Sequence, residues 1–237
     1  MTFAALGLSA PLLQALDALG YQKPTPIQTE AIPAVLAGRD LMAAAQTGTG
    51  KTAGFALPLL QRLSEGERAE GKAARALILT PTRELAEQVH ASCRQYGQHL
   101  PVSTYAVYGG VGIHPQITRL GRGVDLLIAT PGRLLDLFRQ KALSLKEVEM
   151  FVLDEADRML DLGFAQELST LFAALPKHRQ TLLFSATFSE AIRSLARARL
   201  RDPLSIDAAP RNSAAKAVRQ WVVPVDKKRK TELFLFM

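Results

Sequence analysis

Short apolar runs alternate with amphipathic segments along most of this chain, and that alternation constrains the fold more than any other feature. "RALILT" (75–80), "STYAVY" (103–108), "VDLLIAT" (124–130), "MFVLD" (150–154) and "QTLLFSAT" (180–187) read as strands, and "LSID" (204–207) as a last one. After the first five come "RELAEQVHASCRQY", "HPQITRLG", "GRLLDLFRQ", "FAQELSTLFAAL" and "SEAIRSLARARL", with apolar residues at helical spacing. Strands buried on both faces and joined through helices run parallel. The expectation is an α/β domain with a mostly parallel central sheet and helices on both faces. Ligands of such sheets bind beyond the carboxyl ends of the strands.

The first such unit holds a phosphate loop. "DLMAAA" (40–45) reads as a strand, "AQTGTGKT" (45–52) as the loop and "KTAGFALPLLQRL" (51–63) as the helix that follows. Gly48, Gly50, Lys51 and Thr52 fit the general template, and Ala45 stands where that template has Gly. Small residues let backbone N–H groups close around phosphate oxygens. Lys51 would reach the terminal phosphates and the Thr52 hydroxyl would hold Mg²⁺. Kinases, GTPases, transporters and nucleic-acid motors all use such a loop.

Composition narrows the class. Cys93 is the single cysteine, which leaves no disulfide framework and no cysteine-based zinc site. His90, His99, His114 and His178 show no metal-ligand spacing. No apolar run approaches the roughly 20 residues a membrane span needs, and "MTFAALGLSAPLL" lacks the basic start of a signal peptide. A cytoplasmic protein without membrane contact is the default. The net charge of +7 is unevenly placed: residues 211–237 carry seven Lys/Arg against two Asp/Glu. That basic segment reads equally as a solvated linker or as a polyanion contact.

"FVLDEAD" supplies a second centre. Asp154 ends a buried apolar run and Glu155 follows it. In one parallel sheet with a phosphate loop, the pair has the chemistry of an ATPase site. Asp154 would hold Mg²⁺ through water, and Glu155 would orient or deprotonate the attacking water.

"AQTGTGKT" and "DEAD" (154–157) resemble the first two motifs of the DEAD-box RNA helicases of superfamily 2, where Ala is the usual first residue of the loop. "GYQKPTPIQ" (20–28) resembles that family's Q motif, with Phe3 as its upstream aromatic. "PTRELA" (81–86), "GG" (109–110), "TPGR" (130–133) and "SAT" (185–187) resemble its RNA-contacting and coupling motifs. "DEADRMLDLGF" and "QWVVPVDKKRK" look most like the bacterial RhlE-type branch.

The resemblance implies a RecA-like P-loop domain and assigns roles. ATP would be held by Phe3, Lys23, Thr25 and Gln28 around the adenine, and by Ala45, Gln46, Thr47, Gly48, Thr49, Gly50, Lys51 and Thr52 around the phosphates. The Gln28 amide can donate to N7 and accept from N6 of adenine. Catalysis would rest on Glu155, Lys51 and Asp154, with Mg²⁺ on Thr52 and Asp154. RNA would lie on Pro81, Thr82, Arg83, Gly109, Gly110, Thr130, Pro131, Gly132 and Arg133. Two of those motifs open predicted helices, whose free N–H groups suit phosphate oxygens. Such contacts carry little sequence preference, and 2′-OH contacts favour RNA over DNA. Ser185 and Thr187 would both bond Asp157 and link ATP state to domain closure.

The expected organisation is a RecA-like domain over 1–207, with the Q motif in 3–28 and the other motifs in 45–187. A linker over 208–218 and the start of a truncated second RecA-like domain over 219–237 follow. The family's arginine-finger string HRxGRxGR does not occur, and "RGVD" (122–125) is a coincidental echo of a second-domain motif. The isolated chain is therefore expected to bind nucleotide with little turnover. Ribosome-assembly or RNA-decay complexes are the partners that the resemblance implies. Two other readings stand beside this one. The rival enzyme is a GTPase or a small-molecule kinase: a GTPase needs an Asn-Lys-x-Asp guanine reader, and the only asparagine is Asn212, while a small-molecule kinase has no need of "PTRELA", "TPGR" and "SAT" in sequence. A non-catalytic RNA scaffold would have no need of Lys51 or Glu155.

Overall fold

The computed structural model describes residues 2–46, 48–207 and 225–226. Its strands are β1 (Leu41–Ala44), β2 (Ala74–Leu79), β3 (Thr104–Val107), β4 (Val124–Ala129), β5 (Met150–Leu153), β6 (Gln180–Ser185) and β7 (Leu204–Asp207). They form one sheet in the order β3-β4-β2-β5-β6-β1-β7. Every pairing is parallel. The apolar runs end one or two residues earlier than the sequence suggests, because Thr80, Thr130 and Thr187 already belong to the turns.

The helices are α1 (Ala10–Ala18), α2 (Pro26–Leu36), α3 (Lys51–Ser64), α4 (Arg83–Tyr96), α5 (His114–Leu120), α6 (Pro131–Arg139), α7 (Ala156–Asp161), α8 (Ala165–Ala174) and α9 (Glu190–Arg199). They cover both sheet faces. Ile78, Ile128, Val152 and Phe184 face one apolar cluster with α1 to α4. Leu77, Leu127, Phe151 and Leu183 face the other with α5 to α9. Alternate residues of one strand thus enter different cores, which is why these runs are continuously apolar. Phe55 and Phe184 lock α3 onto β6 with ring centroids 5.2 Å apart.

Two helices escape the sequence reading: α1 and α7. α1 and α2 carry start signals, with Pro11 and Pro26 in their first turns. At α2 the Gln28 side chain also reaches back to its N-cap, Thr25. α7 is a single short turn after the acidic pair. Among the described residues, no helix is long and apolar enough to cross a membrane. The expected linker and the start of a second domain fall almost wholly outside the described residues.

Candidate functional site

Strand order arranges the motifs in a row along the carboxyl edge of the sheet. Across that edge come Gly109–Gly110 after β3, Thr130–Arg133 after β4 and Pro81–Arg83 after β2. Asp154–Asp157 follow after β5, Ser185–Thr187 after β6 and the glycine loop after β1. β6 therefore separates the phosphate loop from the acidic strand end, and the turn after β6 bridges them.

The loop is built for close backbone approach. Gly48 and Gly50 have φ of 87° and 88°, a left-handed region where a side chain is strained. Thr49 donates from its hydroxyl to the Gln46 carbonyl at 2.8 Å, closing the turn. Gly50 caps α3, whose first residues are Lys51 and Thr52, so free N–H groups face the loop interior. Ala45 is buried and donates its N–H to the Ser185 carbonyl at 3.0 Å, tying the loop to β6. A residue larger than Ala would not fit there. Thr47 lies outside the described residues.

Lys51 points from the loop to the end of β5. Its Nζ lies 3.0 Å from Asp154 Oδ1 and 3.0 Å from Glu155 Oε1, and all three side chains are buried. Burial pushes the Asp154 carboxyl above its ordinary value, and the Lys51 charge opposes that rise. Glu155 holds φ of 56°, strained for a non-glycine residue, and heads α7 from that position. Arg158, one turn on, reaches Glu155 Oε2 at 3.5 Å. The sequence reading missed Arg158, although its i,i+3 spacing from Glu155 on "DEADR" is the signal that finds it.

A divalent cation fits this donor set. Neither Asp154 oxygen has a well-aligned hydrogen-bond donor, and the side chain is fully buried. Lys51 is close to Oδ1, but as an ion pair rather than a directed bond. Among the described residues no group of three or more His, Cys, Asp or Glu could hold a metal. Mg²⁺ needs no such cage, because it binds through one or two carboxylates plus substrate phosphates. Asp154 and Thr52 are the residues that would hold it.

Gln28 is buried at the foot of the loop with both ends of its amide engaged. Oε1 accepts from the Thr25 N–H at 2.9 Å, and Nε2 donates to the Gly50 carbonyl at 3.0 Å. Lys23 beside it is exposed. Phe3 is buried in the α1–α4 core, edge-on to Tyr21 at 6.2 Å between centroids. Tyr21 in turn meets Tyr96 through a 3.0 Å hydroxyl contact.

The motifs after β3, β4 and β2 share one flank. Thr82 caps α4, accepting from the Leu85 N–H at 3.3 Å, and Pro131 opens α6 next to Thr130. Arg83 lies over the Tyr108 ring at 5.0 Å and donates to Glu87 at 3.1 Å. Gly109, Gly110 and Gly132 are exposed, and Gly110 has φ of 80°. Arg133 Nη2 donates to the Val111 carbonyl at 3.0 Å, so the α6 start fastens the glycine turn after β3.

The coupling expectation is half corrected. Thr187 does bond Asp157: its N–H and hydroxyl both donate to Oδ2, at 2.9 Å each. Ser185 does not. Its buried hydroxyl donates to the Thr187 carbonyl at 2.7 Å. Ser185 still belongs to β6 and its side chain turns back on the following loop, while Thr187 has left the strand.

Comparison with known proteins identifies the family. The family profile described as DEAD/DEAH box helicase matches residues 25–195. The chain is 48% identical over 206 residues to "ATP-dependent RNA helicase DeaD" of Escherichia coli (strain K12), covering 86% of this chain and 32% of that protein. It is 40% identical over 228 residues to "Probable ATP-dependent RNA helicase DDX46" of Homo sapiens, covering 94% of this chain and 22% of that one. This chain thus spans a third or less of those relatives' length. The solved structure of a DEAD box protein from the hyperthermophile Methanococcus jannaschii superposes with a TM-score of 0.82 at 40% identity, over 88% of this chain and 56% of that chain. With the fold, the row of motifs and the profile in agreement, the chain belongs to the DEAD/DEAH box helicase family.

Proposed function

We propose that this chain is the first RecA-like domain, residues 1–207, of an ATP-dependent RNA helicase that works in the cytoplasm. The observation that carries the reading is Lys51, held between Asp154 and Glu155 beneath a glycine loop, one strand away from the Thr187–Asp157 bridge. Mg²⁺, bound through Thr52 and Asp154, would neutralise charge on the nucleotide phosphates. Lys51 leaves its two carboxylates to meet the terminal phosphates. Glu155, freed from Lys51, orients the attacking water and takes its proton. Gln28 exchanges its bonds to Thr25 and Gly50 for the adenine edge, so adenine binding is felt in the loop backbone. Phe3, Lys23 and Thr25 border that pocket.

RNA lies with its backbone over Gly109–Gly110, Thr130–Arg133 and Pro81–Arg83, where the α4 and α6 N-termini present N–H groups. The paired hydrogen bonds from Thr187 to Asp157 transmit the state of the acidic strand end to the neighbouring turn. A second RecA-like domain supplies the arginine finger, worth on the order of 10³–10⁵ in rate. Residues 208–218 act as the linker and 219–237 begin that domain. Ribosome assembly and RNA decay are the settings implied by the family, and the RhlE-type branch rests on the two stretches quoted above.

The deciding experiment measures ATP and GTP binding to residues 1–237, then RNA-stimulated ATPase with and without the second domain. The expected result is ATP binding by the chain alone and turnover only with both domains. Full RNA-stimulated turnover by residues 1–237 would show the site to be complete here and sink the half-site reading.

A further inference from the structure

The charge of the domain is unevenly spread. Residues 174–203 hold six Lys/Arg against two Asp/Glu, whereas residues 1–173 hold sixteen against seventeen. In the fold, the basic segment runs from the end of α8 through β6 and α9 to the bend before β7. Its ends meet at the amino edge of the sheet, where β6 begins at Gln180 and β7 at Leu204. The motifs occupy the opposite edge, and the nucleotide machinery uses none of this segment beyond the turn after β6.

Three guanidinium groups, of Arg179, Arg199 and Arg201, gather at that amino edge. Arg179 and Arg199 rest against the Phe172 ring of α8, at 5.5 and 5.0 Å from its centroid. Arg201 donates to the Arg179 carbonyl and ties the ends of the segment together. The Arg199 side chain has no hydrogen bond or ion pair among the described residues. The carboxylate beside the cluster, Asp40, is buried and already committed to backbone. Its Oδ1 accepts from the Thr181 N–H at 2.8 Å and its Oδ2 from the Arg201 N–H at 2.7 Å. Of the segment's own acids, Glu190 pairs with Arg197, which leaves Asp202 at this edge. Burial pushes the Arg179 guanidinium down from its ordinary value; Asp40 opposes that, and Arg199 and Arg201 add to it. Like charges are thus held together with too few anions to balance them.

A guanidinium seated on a ring keeps its N–H edge free, and that edge matches phosphate oxygens. The large exposed hydrophobics among the described residues are Tyr21, Val111 and Leu162, and none belongs to this segment. The patch therefore lacks the apolar centre around which protein interfaces are built. We propose that the edge formed by Arg179, Arg199 and Arg201 binds the phosphate backbone of RNA, as a second contact outside the motif row. This rests on the RNA-binding reading above and extends it: a strand engaged at the carboxyl edge is held again through its flank at the amino edge, without base preference.

The test uses the whole 237-residue chain and a labelled single-stranded RNA long enough to reach from one sheet edge to the other, titrated over a series of salt concentrations. The variant is R199Q/R201Q, which removes side-chain charge and keeps the backbone bond from residue 201 to Asp40. RNA affinity should fall on the order of 10-fold at low salt, and the slope of log affinity against log salt should become shallower by about 1.4. ATP affinity and melting temperature should stay at wild-type values. In the wild type, RNA should also shield Lys177, exposed beside Arg179, from acetylation. That protection decides alone if the variant fails to fold. An unchanged salt slope, with Lys177 acetylated equally with and without RNA, overturns the second contact and leaves the RNA reading intact. Polyglutamate shielding Lys177 where RNA does not would make the partner an acidic protein and overturn the proposal as well. Absence of any RNA binding, with ATP binding retained, overturns both readings.

Discussion

Lys51 Nζ lies 3.0 Å from Asp154 Oδ1, although Lys51 opens the helix after β1 and Asp154 ends the strand two places away in the sheet. The contact is a buried ion pair between the two elements. Lys51→Ala leaves the fully buried Asp154 carboxylate without the cation beside it. Breaking such a pair from one side costs about 3–5 kcal/mol. The expected outcome is a lower urea midpoint together with loss of ATP binding. A variant as stable as the wild type would mean that the pair does not persist in solution.

The pH dependence follows from Asp154, whose folded pKa is raised above 3.8 by burial. Between 3.8 and the raised value the native state binds more protons than the unfolded chain. The contribution of Asp154 to stability therefore falls as pH rises through that window. Lys51→Ala removes the charge that opposes the rise, so the window should widen upward in that variant. Urea denaturation across acidic to neutral pH checks it; identical pH profiles for the two proteins would contradict the assignment.

Glu155→Gln keeps the shape and removes the base. In the full-length protein, ATP binding should persist, while turnover drops by about 10²–10⁴-fold. Steady-state ATPase with saturating RNA is the measurement, and near-normal turnover would remove Glu155 from the role of base.

Gln28 and Gly50 are predicted to act together. A Cβ on Gly50 would lie 2.5 Å from Gln28 Nε2, at a backbone φ of 88°. Gly50→Ala should therefore displace the Gln28 amide and weaken ATP binding. Gln28→Ala should cost about 1–3 kcal/mol of ATP affinity and narrow the preference for ATP over GTP. Calorimetric titration with both nucleotides checks this, and unchanged affinities would detach Gln28 from the nucleotide.

Thr187→Ala retains the backbone bond to Asp157 and deletes the hydroxyl one. In the full-length protein it should bind ATP normally and lose duplex unwinding more than ATPase. Equal losses in both assays would place Thr187 in the chemistry instead.

Cys93 is fully buried, and burial pushes its thiol up to about 12. A thiol reagent should label it only after denaturant is added; rapid labelling of the native chain would show that α4 opens readily.

The strands, most helices and the residues at each strand end were legible in the residue pattern. Those features are local. A strand buried on both faces must be apolar throughout, and a phosphate loop must be small at Ala45 and left-handed at Gly48 and Gly50. Tertiary structure decided who meets whom. Parallel crossovers place β6 between β1 and β5, and no residue pattern within a strand specifies that order. From it come the Lys51–Asp154 pair, the bridge from Thr187 to Asp157 and the turning-away of Ser185. The fastening of Val111 by Arg133, the double engagement of Gln28 and the burial of Phe3 were equally hidden. The Lys51–Asp154, Thr187–Asp157, Arg133–Val111 and Gln28–Gly50 contacts join residues far apart in the chain, and only packing of the whole sheet fixes those distances.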